Sequence, residues 1–480
     1  GIRFFEQEFG TRVTNLWLPD VFGYSAALPQ ILKLAGVDFF MTQKISWNEM
    51  NVFPHHTFDW EGIDGTRIRT HFLPTNNYNA SNGPQMLVES EQRFAQADVS
   101  DDWLNLYGIG DGGGGPSRQH IEYARRAAGV EGLPRVKLAP AAEFFKRIAK
   151  LPAERLPVWR GELYLELHRG TYTTQGRTKQ LNRRLELTLR DTEYLAAIAG
   201  LDQSETLEPV WKETLLNQFH DILPGSSIRQ VYEEANASAE RNLIKLAELE
   251  ELSLAALHGP RPKAPRSFAV HNTLSWERHA LVLVPWNADS TPVVLDVEGK
   301  ALVAQPVDDG LLVPVTIPSC GHTGLAVTDP ADAPVAQAKA VEAEPRSSAT
   351  PDAGRWSRER IVPVKASETL LENGLLRVRL ADDGTIASIY DREFEREVLA
   401  DGANRLLVWE DRPYSWDAWD ISHYYRETEP EQATLVDRQL VESGPLRAAV
   451  EQRFTVGSST IVQRIILEAE SRLVRVECHV

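Results

Sequence analysis

Over the first 160 residues, short apolar runs alternate with segments whose apolar positions recur at helical spacing. The runs that predict buried strands are 12–18, 37–42, 67–73, 103–109 and 135–139. The segments that predict helices are 25–36, 117–129 and 140–151. Alternating strands and helices are typical of a sheet with helices on its faces. The pattern therefore predicts an α/β domain over 1–160, partial and built on a mostly parallel sheet.

The pattern changes twice further along the chain. Helical spacing dominates 161–260, where we expect a three-helix bundle that carries metal-binding and substrate-binding residues. Alternation with a period of two then predicts a small β domain over 261–327. Residues 328–365 are rich in Ala, Pro, Glu and Ser and predict a linker. Residues 366–480 predict the start of a β-sandwich domain, so the fold class is multidomain.

Both ends of the chain suggest a fragment. The sequence begins at Gly1 without a methionine, and it stops at Val480 within an alternating strand pattern. We therefore expect a chain that is truncated at both ends.

Charge and cysteine content exclude several classes of function. Lys and Arg number 51 against 68 Asp and Glu, which gives a formal net charge of −17. That balance argues against a nucleic-acid partner and against binding to an anionic membrane. A membrane-spanning helix needs roughly 20 consecutive apolar residues, and the sequence has no such run. With two cysteines, a disulfide framework is not expected, and we expect a cytoplasmic protein.

Two aspartates follow predicted strands. Asp20 follows the run 12–18, and Asp111 lies in "GIGDGGGG" after the run 103–109. Ligands of parallel α/β folds bind beyond the carboxyl ends of the strands, and two carboxylates there suit acid–base or nucleophilic work on a glycosidic bond. The alternative is an N-cap of the next helix. That alternative is weaker for Asp111, because Ser117 is better placed as the cap.

The glycine-rich segment has a second interpretation as a phosphate-binding loop. Residues 108–113 formally fit G-x-G-x-x-G, but Pro116-Ser117 stands where a Walker loop has Lys followed by Ser or Thr. Asp111 inside the loop would also repel a phosphate. We therefore favour a loop that presents the Asp111 carboxylate.

Three other segments carry candidate binding residues. His220 and Asp221 lie near the end of a predicted helix and could contribute to a zinc site, although a histidine there also suits the helix dipole. His168 and Arg169 belong to a predicted strand whose polar side chains could face a hydroxyl-rich ligand. The tryptophans of "WEDRPYSWDAWDI" (409–421) either stack on sugars or pack an aromatic corner.

Together these segments resemble glycoside hydrolase family 38, the α-mannosidases, in the branch of cytosolic and vacuolar enzymes and their bacterial relatives. The matching segments are "NLWLPDVFGYSAALPQIL", "GIGDGGGGP", "ELYLELHRGTYTTQ", "NQFHDILPGSSI" and "EDRPYSWDAWDI". They occur in the family's order over nearly the whole chain.

The resemblance implies roles for five residues. Asp20 matches the catalytic nucleophile and a zinc ligand, and His220 matches a second zinc ligand. Asp111 matches the general acid/base, while Asp221 and Phe22 match residues that contact the sugar. The expected partner is a mannose-containing oligosaccharide, cleaved with retention, and the two carboxyl groups should be about 5–5.5 Å apart. The expected cofactor is one Zn²⁺ per full-length chain, with Co²⁺ as an alternative.

One departure from the family pattern changes the expectation for this chain. The family has a His-x-Asp pair of zinc ligands before the nucleophile, whereas no histidine precedes Asp20 here. We therefore expect the chain as given to bind zinc weakly and to be inactive. Two alternatives stay open: a related hydrolase of mannosylglycerate-type or phosphorylated substrates, and a non-catalytic carbohydrate-binding relative. Linkage specificity and assembly, including a homo-oligomer, also stay open.

Overall fold

The computed structural model describes residues 1–260, 266–286, 292–328 and 361–480. The chain divides into two compact units. Unit 1 comprises 1–183, 212–240 and 412–422, and unit 2 comprises 184–211, 241–411 and 423–480. Within the described ranges, no helix combines the length and apolar character needed to cross a membrane.

Unit 1 contains a five-stranded mixed sheet. The strands of this sheet and of a separate two-stranded sheet are β1 (Asn15–Trp17), β2 (Gly23–Tyr24), β3 (Phe39–Thr42), β4 (Thr57–Glu61), β5 (Arg67–Phe72), β6 (Val158–Arg160) and β7 (Leu163–Tyr164). The order is β1-β3-β5-β4-β6, and β2 pairs with β7. Pairs β1–β3, β3–β5 and β4–β6 are parallel, whereas β4–β5 is antiparallel. Three of the four pairings are parallel, as predicted, and the antiparallel pair makes the sheet mixed.

Apolar side chains from the strands form the core of this sheet. Phe40, Phe58, Trp60 and Ile68 are fully buried in one cluster, together with Leu32 from a helix. The helices of this part of the chain are α1 (Ile2–Phe9), α2 (Leu28–Leu34), α3 (Pro84–Arg93), α4 (Arg118–Ala127) and α5 (Ala141–Ile148). Ser117 caps α4 by accepting a hydrogen bond from the backbone N–H of His120, as the sequence predicts.

Two predicted strands are wrong. Segment 103–109 forms only an isolated bridge, between Ala80 and Tyr107, and 135–139 has no strand. The first segment runs into glycines with positive φ, which end an extended run. In the second, Leu138 is 40% exposed, so the segment has no buried face to pair in a sheet.

The predicted helical region contains three long helices, α6 (Gly176–Ile198), α7 (Ser204–Asn217) and α8 (Arg229–His258). The division into units passes through all three helices, so the three-helix bundle stays a prediction. The predicted domain boundaries also stay predictions. The linker predicted over 328–365 falls mainly on 329–360, outside the described residues.

The rest of unit 2 is rich in antiparallel sheet. Its first strands are β8 (Ser267–Asn272), β9 (Arg278–Pro285), β10 (Val293–Leu295), β11 (Ala301–Leu302), β12 (Gln305–Val307), β13 (Gly310–Ile317) and β14 (Gly321–Thr328). They form two sheets in the orders β11-β10-β14-β8 and β12-β13-β9. Val284, Val294, Val313 and Leu325 from both sheets share one core.

The C-terminal strands form three further antiparallel sheets, one of which is the two-stranded pair β20–β21. They are β15 (Lys365–Ser367), β16 (Leu370–Glu372), β17 (Leu376–Leu380), β18 (Ile386–Asp391), β19 (Arg396–Glu397), β20 (Leu407–Val408), β21 (Glu431–Gln432), β22 (Thr434–Ser443), β23 (Arg447–Val456), β24 (Ser459–Glu468) and β25 (Val474–His479). Sheets β15–β19 and β22–β25 bury Leu371, Val378, Val450 and Ile465 in one core. This arrangement matches the predicted sandwich.

Candidate active site

Asp20 lies just beyond β1, where the carboxyl ends of parallel strands β1 and β3 meet. Lys44, just beyond β3, places its Nζ 2.9 Å from Asp20 Oδ1. Lys44 is only 1% exposed, and its ammonium lies 3.7 Å from the centre of the Trp47 ring. The Oδ1 atom accepts no hydrogen bond from the described residues, so the contact is an ion pair rather than an aligned hydrogen bond. A buried charge needs such partners because desolvation is costly.

Tyr78 connects Asp20 with Asp111. Its hydroxyl donates to Asp111 Oδ1 at 2.8 Å and lies 3.4 Å from Asp20 Oδ2. Asp111 Oδ1 and Asp20 Oδ2 are therefore separated by at most the sum of these two distances. Burial, followed by the hydrogen bond to Asp111 and the charge of Asp20, raises the pKa of Tyr78 well above its usual range. Its hydroxyl therefore stays protonated and acts as a donor.

Glycine is required in the loop that carries Asp111. Asp111 sits in a single helical turn, Gly110–Gly112, and Gly110 and Gly113 have φ of 66° and 69°. A Cβ on Gly110 would lie 2.7 Å from the Asn79 side chain. The glycines therefore let the loop approach the segment that carries Tyr78, which brings Asp111 to the shared hydroxyl.

His220 and Asp221 lie in a turn after the end of α7 at Asn217, not within the helix as the sequence suggested. His220 Nε2 is 3.7 Å from Asp20 Oδ2 and 3.8 Å from Asp221 Oδ2. Ser226 donates to Asp221 Oδ1 at 3.0 Å. The predicted pair is therefore brought to the nucleophile candidate.

Lys179 anchors this turn. Its ammonium donates to the carbonyl oxygens of Leu223 at 2.9 Å, of Pro224 at 3.2 Å, and of Thr174. Thr174 lies just before α6, whereas Leu223 and Pro224 lie in the turn. Lys179 therefore links the start of α6 to the turn. Burial lowers the pKa of Lys179. Lys179 thereby fixes the backbone that follows His220.

An aromatic cluster lies beside Asp20. Its rings belong to Phe22, Trp47, His168, Trp416 and Trp419. Phe22 lies 5.1 Å from the His168 ring and 5.5 Å from the Trp419 ring, and Trp416 and Trp419 stack at 5.5 Å. Trp416 is 50% exposed, so the cluster offers an aromatic surface to a ligand.

His168 supports this cluster from a buried position. It is 1% exposed and adopts φ of 57°, a left-handed conformation rare outside glycine. Asp420 Oδ1 accepts from its backbone N–H and lies 2.9 Å from Nδ1. Burial lowers the pKa of His168 despite the Asp420 carboxylate. A neutral His168 therefore holds the segment of Trp416 and Trp419 in place.

The other predicted residues have different surroundings. Arg169 is exposed, and its charge acts on Glu166 and Tyr172. Trp409 belongs to unit 2, where it packs on Tyr425 at 5.5 Å. Contact of His168 or Arg169 with a sugar stays a prediction.

Sequence reasoning missed Lys44, Trp47 and Tyr78. A lysine two residues after the apolar run 37–42 was the one available sign of a buried charge. Tyr78 had no comparable sign, because its role depends on contacts with Asp20 and Asp111, which are distant in sequence.

Asp20 and His220 fit only part of a zinc site. Their facing atoms, 3.7 Å apart, suit two ligands of one ion, and Asp221 is adjacent. Zinc sites in proteins usually have four ligands, of which at least three come from the protein. Across the described residues, no group of three or more His, Cys, Asp and Glu could hold a metal ion. The described residues therefore do not complete a zinc site.

Comparison with known proteins identifies α-mannosidases as relatives of this chain. The α-mannosidase 2C1 of Homo sapiens is 35% identical over 436 residues, which cover 89% of this chain and 38% of the relative. The α-mannosidase G of Dictyostelium discoideum is 33% identical over 512 residues, covering 100% and 46%. The chain thus spans less than half of the length of these relatives.

A solved α-mannosidase structure from Enterococcus faecalis shares the fold. It superposes with a TM-score of 0.71 at 17% identity, over 98% of this chain and 61% of the other. Three domain families match in order: the glycosyl hydrolases family 38 N-terminal domain over 1–162, the α-mannosidase middle domain over 166–257, and the glycosyl hydrolases family 38 C-terminal domain over 371–480. The chain, which brings Asp20, Asp111 and His220 together in its first unit, therefore belongs to glycoside hydrolase family 38.

Proposed function

We propose that the protein containing this chain is a retaining glycoside hydrolase that removes terminal α-linked mannose from oligosaccharides. The observation that carries this proposal is the Tyr78 hydroxyl, shared between the carboxylates of Asp20 and Asp111. A separation of about 5–5.5 Å between carboxyl groups is typical of retaining enzymes, and the two Tyr78 contacts are compatible with it. The α-mannosidase names of the relatives support mannose as the sugar.

The two aspartates take complementary roles in this mechanism. The Lys44 ion pair holds Asp20 Oδ1, and Oδ2 faces Tyr78 and His220. Oδ2 attacks the anomeric carbon while Asp111 donates its proton to the leaving glycosidic oxygen, so a glycosyl–aspartate bond forms as the glycosidic bond breaks. Asp111 then removes a proton from the water that releases the sugar. Asp111 therefore begins the cycle protonated and Asp20 ionised.

Sugar binding is assigned to the aromatic cluster and Asp221. Phe22 and the exposed part of Trp416 offer apolar ring faces, which pack against the C–H face of a sugar. Asp221 is next to His220 and can accept hydrogen bonds from sugar hydroxyls. The substitutions Asp221→Asn and Trp416→Ala are thus expected to raise KM more than they lower kcat.

The protein is expected to need zinc, as its family generally does. Asp20 and His220 would supply two of the ligands, and the ion would bind sugar hydroxyls. We propose that this chain by itself holds zinc weakly at that site and is inactive. Elemental analysis of the chain and of His220→Ala tests this: stoichiometric zinc that depends on His220, with normal turnover, contradicts it.

Trapping of the intermediate tests the nucleophile. The protein that contains this chain should be labelled covalently by a 2-deoxy-2-fluoro mannosyl fluoride. Peptide mass spectrometry should place the label on Asp20. NMR of the first-formed sugar should show retention. Inversion, or a label elsewhere, contradicts the assignment. Asp20→Asn should not be labelled. The surface variant Asp38→Asn is the matched control and should keep the label.

Rescue of an acid/base variant tests Asp111. Asp111→Ala should lose turnover of mannosides with poor leaving groups by roughly 10²–10⁴-fold. It should keep more activity on a dinitrophenyl mannoside, and azide should restore turnover as a mannosyl azide of retained configuration.

A panel of α1,2-, α1,3- and α1,6-linked mannosides would identify the linkage. The expected cytoplasmic location stays a prediction.

A further inference from the structure

The side-chain hydroxyl of Tyr24 bridges the ends of strands β1 and β3 in unit 1. It donates a hydrogen bond to the backbone carbonyl oxygen of Leu18 at 2.7 Å and lies 2.8 Å from Oγ1 of Thr42. Leu18 comes two residues before Asp20 in the sequence. Thr42 comes two residues before Lys44. The bridge therefore joins the two segments that carry the ion pair at the candidate nucleophile.

The chemistry of the three groups determines which of them donates. A tyrosine hydroxyl has one proton, and a backbone carbonyl can only accept, so that proton goes to Leu18. The Thr42 hydroxyl must then donate to the Tyr24 oxygen. Burial raises the pKa of Tyr24 well above its usual range, and the charge of Asp20 adds to this effect. The hydroxyl therefore keeps its proton and stays a donor to Leu18.

The bridge extends the contact between the two strands. The parallel pairing of β1 with β3 is followed by a hydrogen bond from the Leu18 N–H to the Met41 carbonyl oxygen, at 3.0 Å. On the other side of the same residue, the Leu18 carbonyl accepts from Tyr24. Two side-chain hydrogen bonds thus hold the strand ends where Asp20 and Lys44 leave them.

The rest of Tyr24 is anchored in the core. The residue is 8% exposed, and its ring packs edge-on against the Phe40 ring with the centres 4.8 Å apart. Its backbone pairs with Leu163, where β2 meets β7. Close packing leaves such a ring little freedom to move, so the position of the hydroxyl is set by the core. Tyr24 therefore acts on the site through the residues that it holds, and not by contact with a ligand.

We propose that Tyr24, assisted by Thr42, is a positioning residue that sets the contact between Asp20 and Lys44. The inference rests on the proposed function, in which Asp20 Oδ2 attacks the sugar. Lys44 Nζ lies 2.9 Å from Asp20 Oδ1, and this contact depends on the separation of the two strand ends. With Oδ1 held, the direction of Oδ2 is determined. A displacement of about 1 Å can cost roughly a hundredfold in rate, so loss of the bridge should slow the first step.

Covalent labelling of Asp20 measures the step that Tyr24 should affect. In the protein that contains this chain, a 2-deoxy-2-fluoro mannosyl fluoride forms a bond from Asp20 Oδ2 to the anomeric carbon as the bond to fluoride breaks. Tyr24→Phe keeps the ring, removes the hydroxyl and should lower the maximal rate of labelling roughly tenfold to a hundredfold. The reagent concentration for half-maximal rate should change little, because the buried Tyr24 does not bind the sugar. A change in that concentration alone, or labelling like wild type, overturns the proposal.

Thr42 offers a rescue by a conservative variant, and Tyr194 offers the matched control. Thr42→Val removes the donor to Tyr24 and should also slow labelling, whereas Thr42→Ser keeps a hydroxyl and should label close to the wild-type rate. Tyr194 in unit 2 donates to the Cys320 carbonyl at 2.8 Å, which is the same kind of bond. Tyr194→Phe should label at the wild-type rate. Equal rates for the two Thr42 variants, or an equal loss in Tyr194→Phe, contradict the proposal.

A measurement without turnover separates failure of this proposal from failure of the proposed function. Urea denaturation of the 480-residue chain with Asp20→Asn, Lys44→Met and both together gives the coupling free energy of the pair. The same cycle in the Tyr24→Phe background should give a smaller coupling, and an unchanged coupling overturns the proposal even where labelling slows. If the wild-type protein is not labelled at Asp20, the proposed nucleophile is wrong. A reduced coupling would still assign Tyr24 to the contact between Asp20 and Lys44.

Discussion

Lys44 is the residue on which the geometry of Asp20 depends most directly. Its ammonium is buried and has the Asp20 carboxylate and the Trp47 ring as partners. Removal of one member of a buried pair leaves the other charge uncompensated, which costs about 3–5 kcal/mol. We therefore expect Lys44→Met to lower the free energy of unfolding by about 3 kcal/mol, measured by urea denaturation.

A double-mutant cycle separates this pairing from lost packing. Asp20→Asn alone, Lys44→Met alone and both together should be non-additive, because the double variant has no unpaired charge. Additive losses would mean that Lys44 acts through its hydrocarbon chain and its contact with Trp47, and not through Asp20.

Tyr78 is a positioning residue whose role can be read from kinetics. Tyr78→Phe keeps the ring and removes the hydroxyl that donates to Asp111 at 2.8 Å. Asp111 would then lose the bond that fixes its carboxylate, and we expect kcat of the whole protein to fall by roughly tenfold or more, with KM little changed. Tyr123→Phe removes an exposed hydroxyl bonded to Gln119 and should leave kcat unchanged. An unchanged kcat in Tyr78→Phe would remove Tyr78 from the mechanism.

At the scale of elements, Gly170 sets how closely two segments of unit 1 approach. A Cβ at Gly170 would lie 2.9 Å from the Trp419 carbonyl oxygen, and backbone atoms cannot turn aside as a side chain can. We expect Gly170→Ala to displace the segment of Trp416 to Asp420 and to cost roughly 1–3 kcal/mol. Tryptophan fluorescence and urea denaturation should both report the change.

Gly176 supplies the control for that substitution. It is the first residue of α6, and a Cβ there would meet nothing within 4 Å. Gly176→Ala should therefore be neutral or slightly stabilising. Equal free energies of unfolding for the two variants would show that the Trp419 segment moves without loss of stability, which would contradict close packing at Gly170.

Elements with a strong apolar period were predictable, and elements fixed by distant contacts were not. Strands β3 and β5 and helices α4 and α5 follow their sequence patterns closely. The segment containing His168 was expected to be a strand, but only Leu163–Tyr164 pairs. The left-handed His168 depends on Asp420, 252 residues away, and no local pattern encodes that partner. The same holds for Tyr78.

At the scale of the whole molecule, each compact unit is assembled from three separate segments of the sequence. Periodicity changes near 160 and 260 predict domain boundaries, and these stay predictions. The compact units divide α6, α7 and α8 internally. A helix has the same apolar period on both sides of such a division, so the sequence pattern carries no mark of it. The position of Asp20 beyond β1 was predictable from the strand pattern, whereas Asp111 lies in a loop that does not follow a strand of the sheet.

Buried neutral histidines make unit 1 sensitive to acid. Burial, helped by the charges of Arg93 and His55, lowers the pKa of His56 to about 4. Burial also lowers the pKa of His71 well below its usual range. Each ring accepts a backbone hydrogen bond, His56 Nδ1 from Ala95 and His71 Nε2 from Leu104. Protonation would remove these acceptors, so the folded unit keeps both rings neutral.

The sign of the pH dependence follows from these directions. Well above pH 6.5 both the folded and the unfolded chain have neutral rings at His56 and His71, so these two histidines contribute no pH dependence there. As the pH falls from about 6.5 towards 4, the unfolded chain binds protons that folded His56 does not, and the free energy of unfolding decreases. For His56 alone the loss should be about 2 kcal/mol by pH 5, and His71 adds to it. Urea denaturation at pH 7.5 and 5.0, with pulse proteolysis to assign cleavage to unit 1, measures it. His56→Gln cannot titrate and should show a smaller decrease, whereas an equal decrease in that variant would assign the acid sensitivity to other groups.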